Sequence, residues 1–281
     1  MERGQPSRTA LAAATHRALH QVVEGGRIFC DPLALRILGK DAESLQREAS
    51  TDPSDRRMRI FIALRTRVAE DALAAAVGAG VRQVCVLGAG LDTFAYRASL
   101  PPGARVYEVD HPATQAWKRA RLAAAGIAVP ESLTYAPIDF ERETLERGLA
   151  AAGFDRGQPA FFTWLGVVPY LTEAAIESTL RFVGSLPAGT QVVFDYAEPP
   201  GSLAPDQRAE RDARAARVAS LGEPWRTYFE PELLHARLRA LGFGEIHDLG
   251  PREMLERYLP SAAQRSSSYG GHVLRAAKPR G

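Results

Sequence analysis

Apolar residues recur at helical spacing through Met58, Phe61, Ile62, Leu64, Val68, Ala72, Leu73 and Ala76, a stripe that predicts a long helix from Asp55 to Val77. A shorter stripe through Leu11, Ala14, Ala18, Leu19 and Val22 predicts an amphipathic helix from Thr9 to Val23, with Ser7 or Thr9 as its N-cap. Between them, Asp31 and Pro32 supply a capping acid and an N1 proline for a short helix that Gly39 stops. The periodicity then changes. Val84 to Leu87 is apolar without alternation, which fits a strand covered on both faces and therefore a parallel sheet. Further strands are predicted at Arg105 to Val109, Leu133 to Pro137, Ala160 to Leu165 and Gln191 to Tyr196. Helices fall between or after them, at Ala113 to Ala125, Thr144 to Ala152, Glu173 to Ser185 and Glu230 to Leu241. A strand near Glu245 to Leu249 follows, and Gly270 and Gly271 precede His272, Val273 and Leu274, which read as a final antiparallel edge strand. This alternation specifies a doubly wound α/β sheet.

Two segments lie outside that rhythm: the N-terminal helices, and Pro199 to Tyr228, where a Pro/Gly turn precedes a highly charged helix. An insertion after a strand's carboxyl end lies over the ligand site of such a sheet, so this one is expected to act as a lid. The chain of 281 residues is expected to form one domain, with a helical cap at 1–80, a core at 81–198 and 229–281, and the lid at 199–228. Its 46% hydrophobic and 24% charged content is enough for a full core and excludes a disordered chain. A net charge of +2 without a basic block makes nucleic acid an unexpected partner. Cys30 and Cys85 are far apart, which supports neither a disulfide framework nor a cysteine-rich metal site. No stretch approaches the roughly 18 apolar residues of a membrane span, and the N-terminus has no signal-like core, so a cytoplasmic protein without membrane contact is expected.

The candidate chemistry sits at strand ends. Gly88 and Gly90, directly after the first strand, allow a tight turn whose amides approach a ligand, as in a dinucleotide fingerprint. Thr93 stands where that fingerprint has its third glycine, which favours a different nucleotide-like ligand. The second strand ends in Asp110, placed to accept hydrogen bonds from ribose hydroxyls, with Glu108 as a second choice on the same strand face. At the end of the third strand, Asp139 can accept from an exocyclic amine while Phe140 flanks a flat heterocycle. Ligands bind where such strand ends converge.

Leu64 to Arg67 (LRTR), Leu87 to Arg97 (LGAGLDTFAYR), Tyr107 to Pro112 (YEVDHP), Ala136 to Phe140 (APIDF) and Trp164 to Thr172 (WLGVVPYLT) together resemble the leucine carboxyl methyltransferase family. The similarity is to its bacterial, actinobacterial-type branch and covers nearly the whole chain, the glycine-rich segment being its most specific element. It implies a class I methyltransferase fold, a Rossmann-like doubly wound sheet with N-terminal helices and a helical lid insertion. It further implies S-adenosyl-L-methionine as cofactor, S-adenosyl-L-homocysteine as product and no metal. The implied cofactor contacts are Arg65 to the methionine carboxylate, Gly88 and Gly90 to the methionine portion, Asp110 to the ribose, and Asp139 with Phe140 to the adenine. Arg67 lies about 200° around the helix from Arg65, so only one of the two faces that carboxylate, and the spacing leaves open which. One departure stands out: Trp164-Leu165-Gly166 replaces the Trp-Glu-Gly of many relatives, which removes an acidic contact.

A carboxylate acceptor requires no base for methyl transfer, whereas a hydroxyl does, and His111 is the nearest histidine to the expected site. Its alternative role is to cap the helix that Pro112 begins. Trp164, Tyr170, Tyr196 and Tyr228 are candidates to line a pocket for an aromatic or elongated acceptor. The expected function is O-methylation of a small-molecule carboxylate or hydroxyl, in secondary metabolism by family analogy, by a monomer or homodimer. The alternatives are a cofactor-binding protein that does not methylate, with a regulatory or pericyclase-like role, and a nucleotide-dependent oxidoreductase.

Overall fold

In the computed structural model, which describes residues 7–49, 51–140, 142–202, 205–260 and 271–280, the apolar run before the two glycines forms β1 (Gln83–Leu87), buried throughout. Four helices precede it: α1 (Arg8–Val23), α2 (Ala34–Leu38), α3 (Ala42–Glu48) and α4 (Pro53–Gly78). After it come α5 (Phe94–Arg97), β2 (Arg105–Asp110), α6 (Pro112–Ala124), β3 (Leu133–Pro137), α7 (Leu145–Ala151) and β4 (Ala160–Trp164). Then follow α8 (Glu173–Ser185), β5 (Gln191–Tyr196), α9 (Pro205–Ser220), α10 (Pro231–Ala240), β6 (Glu245–Leu249), α11 (Pro251–Tyr258) and β7 (His272–Ala277). The sheet order is β3-β2-β1-β4-β5-β7-β6, parallel except for β7, which runs antiparallel to both of its neighbours. Because the chain proceeds outward from β1 in one direction and from β4 in the other, a crevice opens at the carboxyl ends of these two strands.

The last strand corrects one expectation: β7 lies between β5 and β6, and β6 is the edge. Val273, Leu274, Ala276 and Ala277 are buried and need cover on both sides, whereas Glu245 and His247 of β6 sit exposed at the rim. Gly270, read as part of the turn before β7, lies outside the described residues. Helices α3, α5 and α11 are too short to give a readable apolar stripe. Among the described residues, no helix is long and apolar enough to cross a membrane.

Caps settle the N-terminal helices. Ser7, not Thr9, caps α1, its Oγ accepting from the Ala10 amide at 3.0 Å. Asp52 caps α4, but the expected cap and N1 proline of α2 are corrected: α2 begins after Leu33 without a side-chain cap, and Asp31 accepts from the Leu33 amide at 3.0 Å and from the Thr93 hydroxyl at 2.7 Å. A buried ion pair ties α1 to α4: the Arg59 guanidinium donates to both oxygens of Glu24, at 2.7 and 2.8 Å, and His20 Nδ1 lies 3.2 Å from the same carboxylate. Burial pushes the Glu24 carboxyl upward, but the hydrogen bonds from His20 and Arg59 overcome it and hold the group at about 2. A carboxyl depressed in the folded state contributes stability above its ordinary value of 4.5 and loses it as the pH falls toward about 2. Glu24→Gln is therefore expected to lower stability near neutrality by about 3 kcal/mol. It should also flatten the acid limb, a change that urea unfolding measured across that pH range detects. An unchanged acid slope would show that Glu24 is not the group responsible.

Candidate functional site

The strand ends open into a cavity of about 610 Å³. Its floor is formed by the tips of β1 to β5, one side by α1 and the first half of α4, and its roof by α9 and the segment that follows. Gly88 and Gly90 turn the chain at φ +64° and +45°. A Cβ on Gly88 would fall 2.2 Å from Val167 Cγ2, so the close approach there requires glycine. Opposite the turn, Asp110 accepts from the Gly90 amide at 2.5 Å through Oδ2 and from the His111 amide at 2.6 Å through Oδ1. Burial raises the pKa of this carboxyl, and the two backbone donors oppose that rise. Each oxygen retains a further lone pair for a ligand.

Asp139 and Phe140 lie on the wall beside Asp110, with Asp139 Oδ2 4.0 Å from His111 Nε2. Arg65 faces the cavity and pairs with Asp195 at 2.9 Å, while the other oxygen of Asp195 accepts from the Gly166 amide at 2.5 Å. Arg67 points away, half exposed, to pair with Asp71 at 2.8 Å. Helix geometry thus separates the two arginines as their spacing requires, and Arg65 is the one at the site. Asp195 was missed in the sequence, although an acid inside the otherwise apolar β5 was a readable signal. Leu165 lines the cavity, and Asp195 supplies an acid from the neighbouring strand.

Several expected residues lie elsewhere. Glu108 is buried below the tip of β2, 2.7 Å from Lys118 Nζ and 3.1 Å from the Tyr96 hydroxyl, and it does not line the cavity. The expectation that Glu108 contacts the cofactor is corrected accordingly: one pleat of the strand separates it from the opening. Trp164 is likewise corrected. It is fully buried between Phe140 and Phe194, off the cavity wall. Tyr228 packs against Trp225 and beneath the Arg211 guanidinium, behind the roof and not on it. Tyr170 does line the cavity; Tyr196 touches it while its hydroxyl donates to Asp248 at 2.5 Å. His111 is the N-cap of α6: its Nδ1 accepts from the Ala113 amide at 3.2 Å, the capping role weighed above.

The roof is clasped shut by contacts between distant parts of the chain. Glu223 accepts from Ser7 Oγ at 2.9 Å and from the Arg8 amide at 2.7 Å, at the N-terminus of α1. Arg217 pairs with Asp55 at 2.8 Å, and Arg57 with Glu210 at 2.8 Å. His16, Met58 and Phe61 complete the wall. Sequence reasoning missed these, since on an amphipathic helix a residue lining a cavity and a residue packed in a core share the same apolar spacing.

Residues 10–184 match the leucine carboxyl methyltransferase family. YktD of Bacillus subtilis, named as an S-adenosyl-L-methionine-dependent methyltransferase, is 31% identical over 192 residues, which cover 68% of this chain and 63% of that one. The match therefore spans less than two thirds of that relative's length. FRAAL3718 of Frankia alni, named in the same way, is 34% identical over 221 residues, covering 76% and 75% of the two chains. Among solved structures, a protein from Thermobifida fusca described as a methyltransferase superposes with a TM-score of 0.60 at 18% identity, covering 99% and 97%. A DUF574 family protein of Streptomyces avermitilis gives 0.57 at 17% identity, covering 98% of each chain. The shared fold is that of the class I methyltransferases.

Proposed function

Because this chain belongs to the leucine carboxyl methyltransferase family, we propose that it is an S-adenosyl-L-methionine-dependent O-methyltransferase acting on a carboxylate or hydroxyl of a small molecule. The observation that carries this reading is the convergence of the Gly88-Gly90 turn, Asp110, Asp139 with Phe140, and Arg65 on one cavity. These groups fit the cofactor in kind. Asp110 offers lone pairs to a ribose diol, Phe140 a ring face and Asp139 an acceptor to adenine, and Arg65 a planar fork to a carboxylate. When bound, the sulfonium supplies an electrophilic methyl group that already carries its leaving group's positive charge.

The chain's own task is alignment and exclusion of water. In this reading α9 and the segment after it, which roof the cavity, serve as the lid, with Glu223 holding them to α1. We take the acceptor to be a small molecule, with neither nucleic acid nor membrane as partner, and the protein to act as a cytoplasmic monomer or homodimer without a metal. Calorimetric titration with S-adenosyl-L-methionine, S-adenosyl-L-homocysteine and NAD is the deciding experiment. The first two are expected to bind and NAD not; tighter binding of NAD would replace this reading with a nucleotide-dependent oxidoreductase.

A further inference from the structure

We propose that the methyl acceptor is an uncharged hydroxyl compound with an apolar or aromatic body, held with its hydroxyl against the imidazole of His16; this rests on the methyltransferase reading above. Helix α1 crosses the glycine turn so closely that a Cβ on Gly90 would lie 3.0 Å from Ala10 Cβ. His16 lies about 9 Å further along the same helix axis, at 1.5 Å per residue, and its ring lines the same cavity. Among the described residues no hydrogen bond engages the ring: its Nδ1 is sealed in the protein, and Nε2 is the nitrogen left open.

The surroundings determine what this ring can meet. Burial outweighs the attraction of Asp55 and, with the guanidiniums of Arg59 on α4 and of Arg217 and Arg214 on α9, holds the imidazole at about 4, so it is neutral near pH 7. A neutral imidazole presents one acceptor nitrogen, which matches a hydroxyl's single proton. A carboxylate acceptor would call for a second cation besides Arg65, which the cofactor's carboxylate takes, and the other wall arginines are already matched. Arg214 and Arg217 are paired with Glu210 and Asp55, Arg17 with Asp31 and Arg211 with Asp212, and Arg226 is partnered as well. Acids outnumber arginines around the cavity, a surplus that suits a cationic methyl donor and opposes a second anion. Met58, Phe61, Val218, Leu221 and Trp225 add the apolar surface that an acceptor's body would cover.

In the transfer step the hydroxyl oxygen attacks the donor's methyl carbon, and the carbon–sulfur bond breaks with its electron pair passing to sulfur. The hydroxyl proton goes to Nε2, the imidazole nitrogen left open to the cavity. The imidazolium so formed faces Asp55 and returns its proton to solvent when the product leaves.

The test uses the whole protein saturated with S-adenosyl-L-homocysteine, its loading first measured by calorimetry, and then titrated with naphthol and with naphthoate. Naphthol is expected to bind roughly tenfold or more tightly, because its hydroxyl donates to the His16 imidazole and a carboxylate has no proton to donate. His16→Phe should abolish that preference, and His16→Gln, which keeps a neutral acceptor in place, should retain part of it. Thermal unfolding checks that each variant is folded; should the phenylalanine variant not fold, His16→Ala replaces it with the same expected result. Failure of S-adenosyl-L-homocysteine to load would overturn the methyltransferase reading itself. Normal loading with equal or tighter binding of naphthoate, with no binding of either probe, or with a preference that survives removal of the imidazole, would overturn this inference alone.

Discussion

Glu108→Ala is expected to destabilise the protein by about 3–5 kcal/mol, the usual effect of breaking a buried ion pair from one side. Lys118 is 1% exposed and its ammonium lies 2.7 Å from the Glu108 carboxylate, so the alanine variant would bury an unmatched positive charge beneath α6. Burial pushes the Glu108 carboxyl upward while Lys118 pulls it down, the opposed tendencies of a pair sealed from water. Replacing both partners with apolar side chains of similar size, as Glu108→Leu with Lys118→Met, should recover much of the loss, since neither charge would then remain to be solvated. Urea unfolding of the two variants measures the difference. If Glu108→Ala instead kept native stability and lost affinity for S-adenosyl-L-homocysteine, the glutamate would be a cofactor contact after all.

Asp110→Ala should weaken binding of S-adenosyl-L-homocysteine by about 1.5–3 kcal/mol, the range for a hydrogen bond to a charged group. In affinity this is roughly one to two orders of magnitude. The carboxylate also accepts from the Gly90 and His111 amides, so alanine leaves two donors of the cofactor turn without their partner. A modest loss of thermal stability should accompany the loss of affinity. Asp110→Asn, which keeps one side-chain oxygen as acceptor, is expected to fall between the two. Calorimetry on folded variants checks the series, and unchanged affinity in the alanine variant would remove Asp110 from the site.

The sheet and the tips of its strands were legible from local pattern. The unbroken apolar run Val84 to Leu87 announced a strand covered on both faces, and the glycines, Asp110 and Asp139 stand at strand ends because the apolar runs stop there. Reading failed where one local signal serves two environments. Trp164 and Tyr170 are both aromatic residues just after the middle of the chain, yet one is sealed in the core and the other lines the cavity. Glu108 and Asp110 share one face of a strand, and only their depth below its tip distinguishes an ion pair under a helix from a group at the opening.

By itself, then, the sequence determined the succession of strands and helices, the glycine turn and the acids at the strand ends, because hydrogen-bonding geometry and side-chain periodicity act over a few residues. Tertiary structure alone decided that β7 is inserted beside β5, that Arg65 and not Arg67 faces the cavity, that Asp195 stands next to it, and that His16 looks into the same space. Those outcomes depend on contacts such as Glu223 with Ser7, 216 residues apart. No short-range pattern encodes such a contact, because it forms only after the sheet has packed and brought the two segments together.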